Sequence, residues 1–272
     1  MNSILGQETC DATNCTNFII SLALLERYNK RMLRSIAPLI ILTLTVQAEK
    51  HEPGTQIETV LKFENKASIP YLQYLPKDFD PKGDRKFPLI LFLHGRGESN
   101  GPLGIVKKWG PPKIADQKGL PYIVISPQCP RSSWWSNDDQ QELLIKLLAY
   151  VKKEFPVDED RVYLTGLSMG GFGSWELASR KPEEFAAVVP ICGGGNPQNA
   201  SKLVDLPIWN WHGDQDKVVP LSKSTEMVEA VKKAGGKKIK FTVLAGVGHN
   251  SWSPAYGEPK IWEWLANQKR GH

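Results

Sequence analysis

Six short, predominantly apolar runs recur along this chain, each closed by a glycine, a proline or a polar turn. They are FPLILFLHG (87–95), LPYIVISP (120–127), RVYLTG (161–166), FAAVVPICG (185–193), LPIWNWHG (206–213) and IKFTVLAG (239–246). Runs this short, rich in Val, Ile and aromatic residues, read as strands rather than helices. Most lack the alternation of a strand with one wet face, so both faces must be covered. Helical stretches lie between them. In DDQQELLIKLLAYVKKEF (138–155), Leu143, Leu144, Leu147, Leu148 and Val151 form one stripe, with acidic residues at the helix start. Strands buried on both faces with helical crossovers predict the α/β class: a mostly parallel sheet with helices on both sides. Ahead of it, IETVLKF and SIPYLQYLP read as a hairpin or meander, which completes an eight-stranded sheet.

In such sheets the ligand crevice opens at the carboxyl ends of the strands. Two pentapeptides there fit Gly-x-Ser-x-Gly: GESNG at 97–101 and GLSMG at 166–170. The pattern marks a nucleophile only when a strand, a tight turn and a helix follow in immediate succession. RVYLTGLSMGGFGSWELASR supplies all three, with Gly166 and Gly170 flanking Ser168 and small residues opening the helix. At the other copy Pro102 breaks the chain where a helix should gain its first turn, which predicts a loop around Ser99.

The loop His94-Gly95-Arg96-Gly97 is better placed to donate a backbone N–H to an oxyanion, together with the residue after Ser168. The expected donors are Met169 and Arg96, with Gly97 as substitute. Of the five histidines, His51 and His272 belong to no element. His94 and His212 close strands, where a ring bonded to loop backbone is the ordinary role. His249, in LAGVGHNSW after the last strand, can swing over the sheet edge toward Ser168. For the carboxylate that orients it, WHGDQDKVVP offers Asp214 and Asp216, and spacing alone does not choose.

From about residue 57 to 268 the chain resembles the α/β-hydrolase superfamily. More specifically it is similar to exported carboxylesterases often labelled predicted peptidases, related to dienelactone hydrolases and the phospholipase/carboxylesterase group. LILFLHGRGE, SPQCP with Trp134-Trp135, TGLSMGGFGSW, WHGDQDKVVP and GHNSW carry the likeness. In those relatives the acid ends His-Gly-x-x-Asp, so the resemblance implies Ser168, Asp216 and His249 as a catalytic triad. It also implies a serine carboxylesterase working through an acyl-enzyme on Ser168. The same residues would serve a peptidase, or an esterase removing acetyl or feruloyl groups from polysaccharide. A non-catalytic ligand-binding relative is the reading from a different class.

The connection GGGNPQNASKLVD has no apolar periodicity, so no sizeable cap domain is expected. The expected site is an open cleft for a small-molecule ester, walled by Trp134, Trp135 and Trp252, with Trp109 nearby. No cofactor and no metal are expected, since neither His-Glu-x-x-His nor a paired-cysteine zinc spacing occurs.

The net charge of +5 is dispersed, and its one dense basic run, KKAGGKKIK at 232–240, reads as a solvated face rather than a nucleic-acid contact. Nothing in the pattern sets an oligomeric state. Residues 49–272 form the expected catalytic domain. Before it, MLRSIAPLIILTLTVQAEK (32–50) reads as an export signal over 32–48, cleaved after Ala48 and leading to a periplasmic or secreted product. Its apolar stretch Ile36 to Val46, at about 1.5 Å per residue, covers about half of a hydrocarbon core, so stable membrane insertion is not expected. Residues 1–31 make a preface longer than such a signal carries, and translation is expected to start at Met32. Cys10 and Cys15 would then be lost. Cys129 and Cys192 read as inert buried thiols.

Overall fold

The computed structural model describes residues 52–271, residue 65 excepted. The leader at 32–48, the preface with Cys10 and Cys15, His51 and His272 lie outside the described residues. Eight strands form one sheet: β1 (Gln56–Lys62), β2 (Ser68–Tyr74), β3 (Phe87–Leu93), β4 (Ile123–Pro127), β5 (Val157–Leu167), β6 (Ala187–Ile191), β7 (Ile208–Gly213) and β8 (Ile239–Leu244). Their order is β1-β2-β4-β3-β5-β6-β7-β8. The β1–β2 and β2–β4 pairs are antiparallel, and every pair from β4 through β8 is parallel.

The helices are α1 (Gly110–Lys118), α2 (Asp138–Glu154), α3 (Met169–Arg180), α4 (Ser222–Lys233), α5 (Trp252–Gly257) and α6 (Pro259–Ala266). All seven residues of β3 are buried, which is why its sequence is continuously apolar. Successive side chains nevertheless point to opposite faces. Leu89, Leu91 and Leu93 pack with α2, α3 and α4 in one apolar layer. Ile90 and Phe92 pack with α1, α5 and α6 in the other. Burying each such side chain contributes about 1.5–3 kcal/mol, so β3 alone anchors both layers.

The expected helix over 138–155 is α2, with Leu144, Leu147, Leu148 and Val151 fully covered and Leu143 half-buried. The connection from β6 to β7 is a 3-10 segment, Pro197–Leu203, that tucks Ala200 and Leu203 into the core. No helix among the described residues is long and apolar enough to cross a membrane.

Candidate active site

Because β3 and β5–β8 run parallel, their carboxyl ends share one edge, and the loops leaving that edge carry every residue of the candidate site. The sharpest of those loops joins β5 to α3. Ser168 stands at the turn with φ 53° and ψ −117°, a left-handed conformation that costs a non-glycine residue of order 1–3 kcal/mol.

Two backbone hydrogen bonds hold it there. Ser168 N–H donates to Ile191 O at 2.9 Å, and Phe172 N–H donates to Ser168 O at 3.1 Å. The flanking glycines let the backbones close: a Cβ on Gly170 would lie 1.9 Å from Leu93 O, and one on Gly166 would lie 2.3 Å from Gly170 O.

His249 reaches the serine from the loop after β8. Ser168 Oγ lies 2.9 Å from His249 Nε2, and His249 Nδ1 lies 2.7 Å from Asp216 Oδ2. The consistent assignment has the hydroxyl donating to Nε2 and Nδ1–H donating to the carboxylate. Asp216 is buried on the turn after β7, where Oδ1 accepts from the N–H groups of Val218 and Val219 at 2.8 and 2.9 Å. Burial pushes its carboxyl up, but the His249 hydrogen bond and the two backbone bonds outweigh this and hold it below the usual carboxylate range. It therefore stays ionised. The other candidate, Asp214, accepts from Gly246 N–H at 2.8 Å and so shapes the loop that presents His249 without touching the ring.

A hydroxyl, a neutral imidazole and a buried carboxylate linked in this order can move a proton off the hydroxyl as it attacks a carbonyl. The fold agrees with what comparison finds. The dienelactone hydrolase family matches residues 130–255. A crystal structure of a thermostable esterase superposes with a TM-score of 0.70 at 33% identity, covering 79% of this chain and 63% of that one. The chain has the α/β-hydrolase fold and is similar to an esterase built on it.

Among curated proteins, the chain is 31% identical over 150 residues to the bifunctional acetylxylan esterase/xylanase XynS20E of Neocallimastix patriciarum, 54% of this chain and 21% of that protein. It is 25% identical over 189 residues to a protein named "Probable feruloyl esterase C" from Aspergillus niger, 67% of each chain. It thus spans about a fifth of the first of these proteins and two thirds of the second.

The remaining expected residues fall in different places around the α/β-hydrolase edge. Met169 opens α3, where first-turn N–H groups have no intrahelical acceptor. Arg96 opens a 3-10 turn, Arg96–Ser99. Its side chain anchors that turn: the guanidinium donates to Ser133 O at 2.6 Å and to Arg131 O, and stacks on Trp134 at 5.1 Å. Ser99 sits in the same turn rather than in an open loop. Its hydroxyl is buried without a hydrogen-bond partner among the described residues, so it is not presented to a substrate.

Trp135 requires a correction. It is 0% exposed, lies in the core and donates its indole N–H to His94 O at 3.0 Å, so it walls no cleft. The space between β3, α2 and α3 needs a large side chain, and Gly173 makes room for it: a Cβ there would lie 2.3 Å from Trp135 Cβ. Trp134, its neighbour, points outward and is 46% exposed. Trp252 is half-buried and packs edge-on against the His249 ring at 5.3 Å. Its far side meets Trp109 at 5.9 Å. Beyond the pair a groove of about 580 Å³ runs between α1, α5 and α6.

Among the described residues one group could in principle hold a metal ion. Cys192, Asp216 and His249 bring three ligand atoms within 4.8 Å of one another. Burial pushes the Cys192 thiol up to about 12, and the Asp216–His249 hydrogen bond occupies the other two groups, so this is a poor ligand set. Cys129 is likewise buried with its thiol pushed up to about 12.

Sequence reasoning assigned no role to Glu98. It is one of the few buried acids and stands two residues past Arg96. The only trace in the sequence was an acid placed directly behind Gly-Arg-Gly at a strand end.

Proposed function

We propose that this chain is a serine carboxylesterase of small esters. The observation that carries the reading is the hydrogen-bonded line Ser168–His249–Asp216 on a strained turn at the carboxyl edge of the sheet. In this mechanism His249 Nε2 takes the proton of Ser168 as Oγ attacks the ester carbonyl. The N–H groups of Met169 and Arg96 hold the oxyanion, where loss of one donor costs about 3–4 kcal/mol in related chemistry. His249 returns the proton to the departing alcohol. Water, activated by the same ring, then resolves the acyl-enzyme on Ser168. Asp216 keeps the ring in the tautomer that leaves Nε2 free.

Short acyl groups fit an edge roofed only by loops, because each further buried methylene would gain about 0.8 kcal/mol only in an enclosed slot. A second reading, removal of acetyl or feruloyl groups from polysaccharide, is supported by the names of the two curated relatives above. Peptide hydrolysis would use the same residues. Export by the leader at 32–48 suits either ester substrate.

A fluorophosphonate probe tests the reading: it should label the protein, fail on Ser168→Ala and still label Ser99→Ala. Folded protein that takes no label would instead favour a non-catalytic ligand binder. A panel of p-nitrophenyl esters tests the substrate class, and a strong preference for acyl chains of about ten carbons or more would sink the open-cleft reading.

A further inference from the structure

Glu98 is 5% exposed, yet it stands outside the Ser168–His249–Asp216 line. A buried carboxyl costs more than an apolar side chain of its size, so stability alone does not account for it. Its side chain folds back on its own turn. A Cβ placed on Gly95 would lie 3.2 Å from Glu98 Oε2 and 2.7 Å from Leu167 Cδ1, so carboxylate, oxyanion loop and the residue before Ser168 share one packed spot.

Burial raises this carboxyl above its ordinary value, opposed in turn by the Lys108 ammonium, by the backbone N–H groups of Glu98 and Gly95, and by the Trp109 side chain. The backbone is held as well, since Glu98 N–H donates to Gly95 O at 3.2 Å and Gln128 Nε2 donates to Glu98 O at 2.9 Å. Arg96 is therefore strung between two fixed points, Gly95 and Glu98. Trp109, whose side chain opposes that rise, faces Trp252 at 5.9 Å, and Trp252 faces the His249 ring at 5.3 Å.

From this arrangement we infer that Glu98 is a positioning residue: it clamps the turn that aims the Arg96 N–H, and through Trp109 and Trp252 it braces His249 against Ser168. The inference rests on the esterase reading above. It gives both halves of the site, oxyanion donor and base, a common support made of one acid and two indoles.

The test is steady-state hydrolysis of p-nitrophenyl acetate, with urea midpoints measured in parallel. Glu98→Ala should lower kcat by about 30-fold or more with KM within about two-fold, because positioning acts on the transition state. Glu98→Gln keeps an acceptor for the Trp109 indole and should recover to within about five-fold of wild type. Trp109→Phe, which removes the donor, should lower kcat. Combined with Glu98→Ala it should add almost nothing, since both break one link.

A loss confined to KM, full additivity of the two changes, or a Glu98→Gln as deficient as Glu98→Ala would overturn the inference. Should Glu98→Ala not fold, Glu98→Gln and Trp109→Phe decide instead: unchanged kcat in Trp109→Phe refutes the link. Wild-type protein inactive on every ester and unlabelled by fluorophosphonate would sink the esterase reading itself. Active wild type with unaffected variants would sink this inference alone.

Discussion

Replacing His94 by Gln removes a ring that is 1% exposed and bonded on both nitrogens. Nδ1–H donates to Gly95 O at 2.6 Å, and Nε2 accepts from Cys129 N–H at 3.0 Å. A proton added to Nε2 would face another N–H donor at a buried position. Burial accordingly lowers the ring's pKa to about 4, against an opposing pull from the Gly95 hydrogen bond. Between about pH 6.5 and 4 the unfolded chain binds a proton that the folded chain refuses, so stability rises with pH across this window and is lost on acidification.

At about 1.4 kcal/mol per pH unit, the window amounts to about 3 kcal/mol, a large share of the 5–15 kcal/mol typical of a domain. Glutamine can keep both hydrogen bonds and cannot titrate. Urea unfolding, followed by tryptophan fluorescence at about pH 7 and about pH 4, should show wild type losing about 3 kcal/mol more than His94→Gln, although the variant starts lower at neutral pH. Asp216 also contributes acid sensitivity. Its depressed pKa gives stability that is present above the unfolded value and lost as pH falls through the folded one. Both proteins share that contribution, so it cancels in the difference. Parallel pH curves for the two proteins would refute the account of His94 as a neutral, buried ring.

Asp216→Asn should leave the fold intact and lower kcat on a short p-nitrophenyl ester by about 10³–10⁴-fold, whereas Asp214→Asn, which still accepts from Gly246, should stay within about three-fold. Gly170→Ala drives a Cβ into the Leu93 carbonyl and should cost more than about 4 kcal/mol or prevent folding. Gly97→Ala meets nothing within 4 Å and should shift thermal stability by no more than about 1 kcal/mol. Trp135→Ala should destabilise by about 3–5 kcal/mol in denaturant unfolding, and the exposed Trp134→Ala by less than about 1 kcal/mol, with any effect appearing in KM.

The strands were legible because burial on both faces leaves a continuous apolar run that few other structures produce. Helix α2 was legible for the complementary reason, a stripe of leucines at helical spacing. Helix α1 was not, since GPPKIADQK opens with two prolines at its N-terminus and carries only a thin apolar face. Ser168 could be separated from Ser99 because a strand, glycines and a helix surround it in sequence. Trp134 and Trp135 could not be separated, because adjacent residues in an irregular turn point apart according to which neighbour leaves a space.

Local pattern by itself determined the α/β class, the turn that carries Ser168 and the loop that carries His249, since each depends on residues close together in the chain. Spacing left Asp214 and Asp216 open and only the family likeness pointed to Asp216, which the tertiary structure sets against His249; tertiary structure alone decided that Trp135 belongs to the core and that Glu98 is buried in the turn after β3. Those outcomes depend on loops from different strands converging at one edge. Distances between such loops are set by the twist and order of the sheet, and no spacing within a single segment encodes them.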